Sequence, residues 1–236
     1  YRNTFSPPRR CAGHEASVEA MAFSPDGRYL ATVSRDDTAR IWDMASGETI
    51  HVLEGAGQAV AYSPNGRWLV TGVADQSDTS AWIWDANSGE IALKLEGHTR
   101  WVTDVAYTPD GAQIATGSAD GTVKLWDAST GDLNDTLGEG TSVVRCLALS
   151  PNGALLAAGY GNHEVRIWDV ARGQPLPTLT GHEDAINDLA FTPNGATLAS
   201  ASDDGTIRLW SAFTSQEVDV LEGHEGSVDA LALDNK

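Results

Sequence analysis

The chain has 236 residues, 41% hydrophobic and 20% charged, the balance of an ordinary globular protein with room for one large or two ordinary domains. Its formal charge of −18 repels a phosphate backbone or an anionic bilayer, which argues against nucleic acid and membranes as direct partners and favours basic or neutral protein surfaces. No apolar run reaches the length of a membrane span, no signal peptide opens the chain, and two cysteines, Cys11 and Cys146, make no disulfide framework; the expected compartment is reducing and cytoplasmic.

A tryptophan recurs every 42 residues, at Trp42, Trp84, Trp126, Trp168 and Trp210, and aspartate follows the first four. Gly-His pairs keep the same beat at His14, His98, His182 and His224. A period of this length, carrying strand and turn signals, marks one supersecondary unit stacked on copies of itself. The expected units are 13–54, 55–96, 97–138, 139–180 and 181–222, with 223–236 opening a sixth and 1–12 preceding the first, all in one domain spanning 1–236.

The third unit shows the elements in order. Residues 101–107 alternate apolar and polar as a half-buried strand does, and Pro109-Asp110-Gly111 turns the chain. Residues 113–118 form the second strand, Asp120-Gly121 the next tight turn, and 122–126 the third strand. Ser129-Thr130-Gly131 turns again into a fourth strand over 132–137. The first turn recurs as Pro25-Asp26-Gly27, Pro64-Asn65-Gly66, Pro151-Asn152-Gly153 and Pro193-Asn194-Gly195. Such a meander has two apolar faces and is unstable alone, so copies must pack face to face around an axis as a β-propeller. Helix signals are absent, and the fold class is all-β.

Gly-His, Ser-Pro-Asp-Gly, Ser-x-Asp-Gly-Thr and Trp-Asp, in this order and period, resemble the WD-repeat family of β-propellers over essentially the whole chain. The resemblance implies blades of four antiparallel strands, of which about five and a half are present, in a ring for which family precedent favours seven. Six blades of this period take about 252 residues and seven about 294, so the 236 residues read as a portion of a longer propeller. In the family an N-terminal strand completes the last blade, a role that falls here to residues 1–12. A sixth first strand is expected over 227–233.

The resemblance further implies buried structural tetrads of histidine, serine, aspartate and tryptophan: His14, Ser34, Asp36 and Trp42; His98, Ser118, Asp120 and Trp126; His182, Ser202, Asp204 and Trp210. The same residue types could suggest a hydrolase, but three equivalent copies argue against catalysis, since a fold needs one active site and a triad is defined by geometry. Unit two departs, with Ala56 for histidine and Gln76 for serine while Asp78 remains; unit four has Gly140, Tyr160 and Asn162.

Gly55-Ala56-Gly57 and Gly138-Glu139-Gly140 lack the lysine and following helix of a phosphate loop. Four histidines belong to Gly-His positions in separate units, and His51 and His163 have no ligand partner nearby, so neither metal nor cofactor is expected. The candidate partner-binding residues are Arg100 and Trp101 beside a Gly-His; Arg35, Asp78, Asn162 and His163 on second-to-third turns; and Trp82, which stands where the other units carry Arg40, Lys124, Arg166 and Arg208. The expected role is a non-catalytic protein-interaction scaffold for protein partners or other domains of its own chain. The alternatives are a sensor or regulatory domain of a larger signalling enzyme, and a small-molecule site in the channel using Asp104, Asp188, Arg145 and Asn187.

Overall fold

The computed structural model describes residues 11–73 and 78–233. Twenty strands make five four-stranded antiparallel sheets, each a simple meander. Blade 1 contains Val18–Phe23 (β1), Tyr29–Ser34 (β2), Thr38–Asp43 (β3) and Thr49–Glu54 (β4). Blade 2 contains Ala56–Tyr62 (β5), Trp68–Val73 (β6), Ala81–Asp85 (β7) and Ile91–Leu95 (β8). Blade 3 contains Val102–Tyr107 (β9), Gln113–Ser118 (β10), Val123–Asp127 (β11) and Leu133–Leu137 (β12). Blade 4 contains Val144–Leu149 (β13), Leu155–Tyr160 (β14), Val165–Asp169 (β15) and the two-residue Gln174–Pro175 (β16). Blade 5 contains Ile186–Phe191 (β17), Thr197–Ser202 (β18), Ile207–Ser211 (β19) and Glu217–Leu221 (β20). No helix occurs among the described residues.

Strand alternation decides which blade each residue meets. In β11, Val123 and Leu125 pack forward onto Val144, Leu147 and Leu156 of blade 4, while Trp126 packs backward onto Ile83 and Leu95 of blade 2. Every interface is built this way, a forward aliphatic face against a backward tryptophan face. The inner strands β1, β5, β9, β13 and β17 therefore follow one another side by side. On blade 1 the backward face has no described blade against it, and Met21 and Phe23 are exposed there.

Two devices lock neighbouring blades. The glycine of each Pro-Asx-Gly turn sits at φ near +70°, and in four of the five turns a Cβ there would meet the proline of the preceding blade's turn: Gly66 by Pro25, Gly111 by Pro64, Gly153 by Pro109 and Gly195 by Pro151. Asp104 of β9 reaches across to accept the Leu147 N–H of β13 at 2.7 Å, and Asp188 of β17 accepts the Leu231 N–H at 2.7 Å. Burial, partly offset by these N–H donors, pushes the Asp104 carboxyl up to about 7 and raises that of Asp188.

Residues 227–233, where a sixth first strand is expected, join no ladder among the described residues. They run beside blade 5, held by Val228 N–H to Ser202 O at 3.0 Å and by the Asp188 clip. The closing strand over 1–12 and Gln76 fall largely or wholly outside the described residues; Cys11 and Ala12 carry no strand.

Candidate protein-interaction site

Gly-His and the Asp-Gly turn converge at one rim of each regular blade. In blade 3 the Trp126 indole N–H donates to Thr116 Oγ1 at 2.8 Å, Thr116 lies 2.8 Å from His98 Nε2, and His98 Nδ1 lies 2.9 Å from Asp120 Oδ2. Asp120 also accepts the Thr99 and Thr122 N–H groups and the Thr122 hydroxyl. Burial favours its neutral form, but these donors prevail and hold the carboxyl at about 2. Burial depresses His98, and a neutral imidazole fits the chain: it accepts from Thr116 at Nε2 and donates to Asp120 from Nδ1. Blades 1 and 5 repeat the arrangement through His14, Thr32, Asp36 and Trp42, and through His182, Ser200, Asp204 and Trp210.

The hydroxyl in each chain is not the serine expected from the motif. Ser118 donates to the Arg100 and Trp101 carbonyls at 3.0 Å and accepts the Asp120 N–H; Ser202 donates to the Asp184 carbonyl, and Ser34 accepts the Asp36 N–H. The reason is register. Trp126 lies opposite Ile114 and Lys124 opposite Thr116, so the indole N–H reaches the hydroxyl two residues before the turn serine on the same strand face. With both ring nitrogens of His98 spent and Ser118 aimed at main-chain carbonyls, the Ser-His-Asp composition makes no nucleophile geometry. Blade 2 keeps only the Trp84 N–H to Thr71 bond, and blade 4 has Ala158 at that position.

The same rim surrounds a recess of about 460 Å³ lined by Glu19, Gln58, Thr103, Arg145, Asn187 and Asp229, one residue from the inner segment of each consecutive unit. Arg145 pairs with Asp203 at 3.2 Å, and Asn187 donates to Asp203 Oδ1 at 2.7 Å and to the Val228 carbonyl. Thr103 Oγ1 and Asn187 Oδ1 are buried without a partner among the described residues. Four members of this ring, Glu19, Gln58, Thr103 and Asp229, were not singled out in the sequence. Their shared offset within the repeat was the available signal.

Of the predicted site residues, Arg35 is exposed and pairs with Glu19 at 2.8 Å, which brings it to this recess. Arg100 stacks on Trp101 with 4.5 Å from guanidinium carbon to ring centre and donates to the Ala119 carbonyl, a preformed arginine–aromatic pair at the rim. Asn162 and His163 are exposed on the blade 4 turn, His163 at φ +72°. Asp78 caps its own turn by accepting the Ser80 N–H and hydroxyl. Trp82 lies apart from the rim residues: half-buried on the outer part of blade 2, it donates to Ser80, packs on Trp84 and Gly55, and carries Lys94 over its ring at 4.5 Å. No hydrogen bond, ion pair or ring contact joins Arg35, Trp101 and His163 to one another among the described residues.

A family model described as "WD domain, G-beta repeat" matches residues 5–43, 47–85, 89–127, 131–169 and 173–211. Similar proteins include human WD repeat-containing protein 86, 43% identical over 47 residues, or 20% of this chain and 12% of that protein. The Notchless protein homolog of Arabidopsis thaliana is 37% identical over 49 residues, 21% of this chain and 10% of that protein. Ribosome assembly protein 4 of Saccharomyces cerevisiae is 43% identical over 44 residues, 19% and 8% respectively. Each match thus covers about one repeat and a small part of the relative's length. No helix among the described residues is long and apolar enough to cross a membrane. Five consecutive matched repeats, which run through five four-stranded sheets, place this chain in the WD-repeat family of β-propeller interaction scaffolds.

Proposed function

We propose that the protein binds a protein partner, or another domain of its own parent chain, across the rim that carries Arg35, Arg100, Trp101, Asn162 and His163 and the recess at its centre. The observation that carries this reading is the convergence of six equivalent side chains into one polar recess with two unpartnered acceptors. A buried unpaired oxygen costs free energy that a donor from a partner's backbone or side chain would recover. The Arg100–Trp101 stack supplies a prearranged contact of the type enriched at binding hot spots. In this reading the ring has seven blades, the compartment is cytoplasmic, and the parent protein belongs to signalling or assembly machinery.

The test is affinity capture with mass-spectrometric readout, comparing the wild type with Arg100→Ala/Trp101→Ala and with Arg145→Ala. A partner lost from both variants, at unchanged melting temperature, supports the rim and recess as the working face. Equal capture by all three moves the working face elsewhere. A small-molecule site in the channel is the second reading, favoured by the same two unpartnered oxygens; a thermal shift with a metabolite, abolished in Asn187→Ala, would select it.

A further inference from the structure

Blade 4 departs from its neighbours in three ways that meet in one place. The histidine position is Gly140 and the hydroxyl position is Ala158, so the tetrad is gone. The Trp168 indole, 3% exposed, therefore lacks the hydrogen bond that Trp42, Trp84, Trp126 and Trp210 all make, and no other acceptor takes it among the described residues. Tyr160 is fully buried beside Gly138, its hydroxyl also without a partner among the described residues.

The third departure is the fourth strand. Pro175 and Pro177 remove two backbone donors, so β16 is two residues long, and beyond it the chain meets β15 through the Leu176 N–H to the Ile167 carbonyl at 2.8 Å and the Val165–Leu179 bridge. A cleft of about 540 Å³ lies between the outer strands of blades 3 and 4 and is lined in part by Trp168. Its walls are Trp168, Leu137 and Leu176 with the two prolines, and its rim carries Asp135 and Glu139. Arg166, the one cation lining it, is paired with Glu164 at 3.0 Å. The cleft thus joins an apolar floor, an unspent indole donor and an uncompensated negative rim.

We propose that this cleft is a second docking site, separate from the channel rim, for an extended basic peptide that inserts one large aliphatic side chain over Trp168. Charge complementarity selects the occupant: the negative rim favours lysine or arginine on either side of the anchor and disfavours an acidic segment. The anchor would pack on Leu137, Leu176 and the prolines that line the cleft, and peptide carbonyls are the natural acceptors for an unpartnered N–H.

The test uses the protein as it stands and three fluorescein-labelled decapeptides followed by anisotropy. One has a central leucine flanked by two lysines on each side, the second has glycine for the leucine, and the third has glutamates for the lysines. The expected result is saturable binding of the first, at least about tenfold weaker binding of the other two, and a similar loss in Asp135→Lys/Glu139→Lys. Both substituted residues lie at the edge of the fold, and unchanged melting of that variant certifies it. Arg100→Ala/Trp101→Ala should bind the first peptide as the wild type does. Equal binding of the leucine and glycine peptides would reduce the effect to the general negative charge and overturn the proposal. So would absence of saturable binding, indifference to the charge reversal, or loss in the Arg100/Trp101 variant.

Discussion

Replacing Thr116 by valine removes one hydroxyl while keeping the outline of the side chain. Thr116 is fully buried, and its oxygen is the link between the Trp126 N–H and His98 Nε2, each 2.8 Å away. The substitution breaks two hydrogen bonds at once and strands a buried donor and a buried acceptor. At about 1–2 kcal/mol for each stranded buried group, the expected loss is about 2–4 kcal/mol. A domain of this size shifts its melting temperature by roughly 2–4 °C per kcal/mol, so the melting temperature should fall by roughly 4–16 °C. The assay is circular dichroism melting together with urea unfolding, beside His98→Ala, Trp126→Phe and the double variants. The cycle should show coupling between Thr116 and His98 of at least about 0.5 kcal/mol. Additive losses, or a valine variant that melts like the wild type, would refute a hydrogen-bond chain through Thr116 and return the role to Ser118.

Other outcomes follow from the same structure. Ala158→Ser gives the Trp168 N–H the acceptor that Ser200 provides in blade 5, and urea unfolding should show a gain of about 1 kcal/mol; a loss would mean that the space is already filled. Gly159→Ala places a methyl 2.5 Å from Ile186 Cγ2 and 2.6 Å from Cys146 Sγ between two inner strands, and overpacking should cost about 1–3 kcal/mol in the same assay. The groups that titrate near neutrality oppose one another. His98 and His182 are depressed by burial, so the unfolded chain takes up their protons first and stability falls as pH drops below the ordinary histidine value of 6.5. Asp104 is raised to about 7, so its neutral form favours the fold at acid pH and that stability is lost as pH rises from 3.8 through about 7. Asp104→Asn removes only the second effect. Its melting temperature relative to the wild type should climb steadily between pH 5 and pH 8, and a constant offset would show that the carboxyl does not titrate there.

The repeat made the blades legible because everything that builds a single blade is local. Alternation in residues 101–107, Pro-Asx-Gly turns and the tryptophan beat all act within a few residues, and the strands of blade 3 appear within one residue of the expected boundaries. The histidine and aspartate ends of the hydrogen-bond chain were expected from the family resemblance, and the structure brings them together at one rim. Its hydroxyl was misassigned, because Ser118 and Thr116 share a strand face and only the register of β10 against β11 decides which meets the indole.

What joins different blades was decided by tertiary structure alone. Glu19, Gln58, Thr103, Arg145, Asn187 and Asp229 are unremarkable singly and form a recess only when the inner strands lie side by side. Trp82 has the sequence profile of an exposed anchor, yet Gly55, Lys94 and Trp84 close around it. Pro175 and Pro177 shorten β16, and the cleft beside them depends on what blade 3 places opposite. Sequence fixes dihedral preference and face because those are properties of neighbouring residues; the cleft and the recess exist only in the distances between blades.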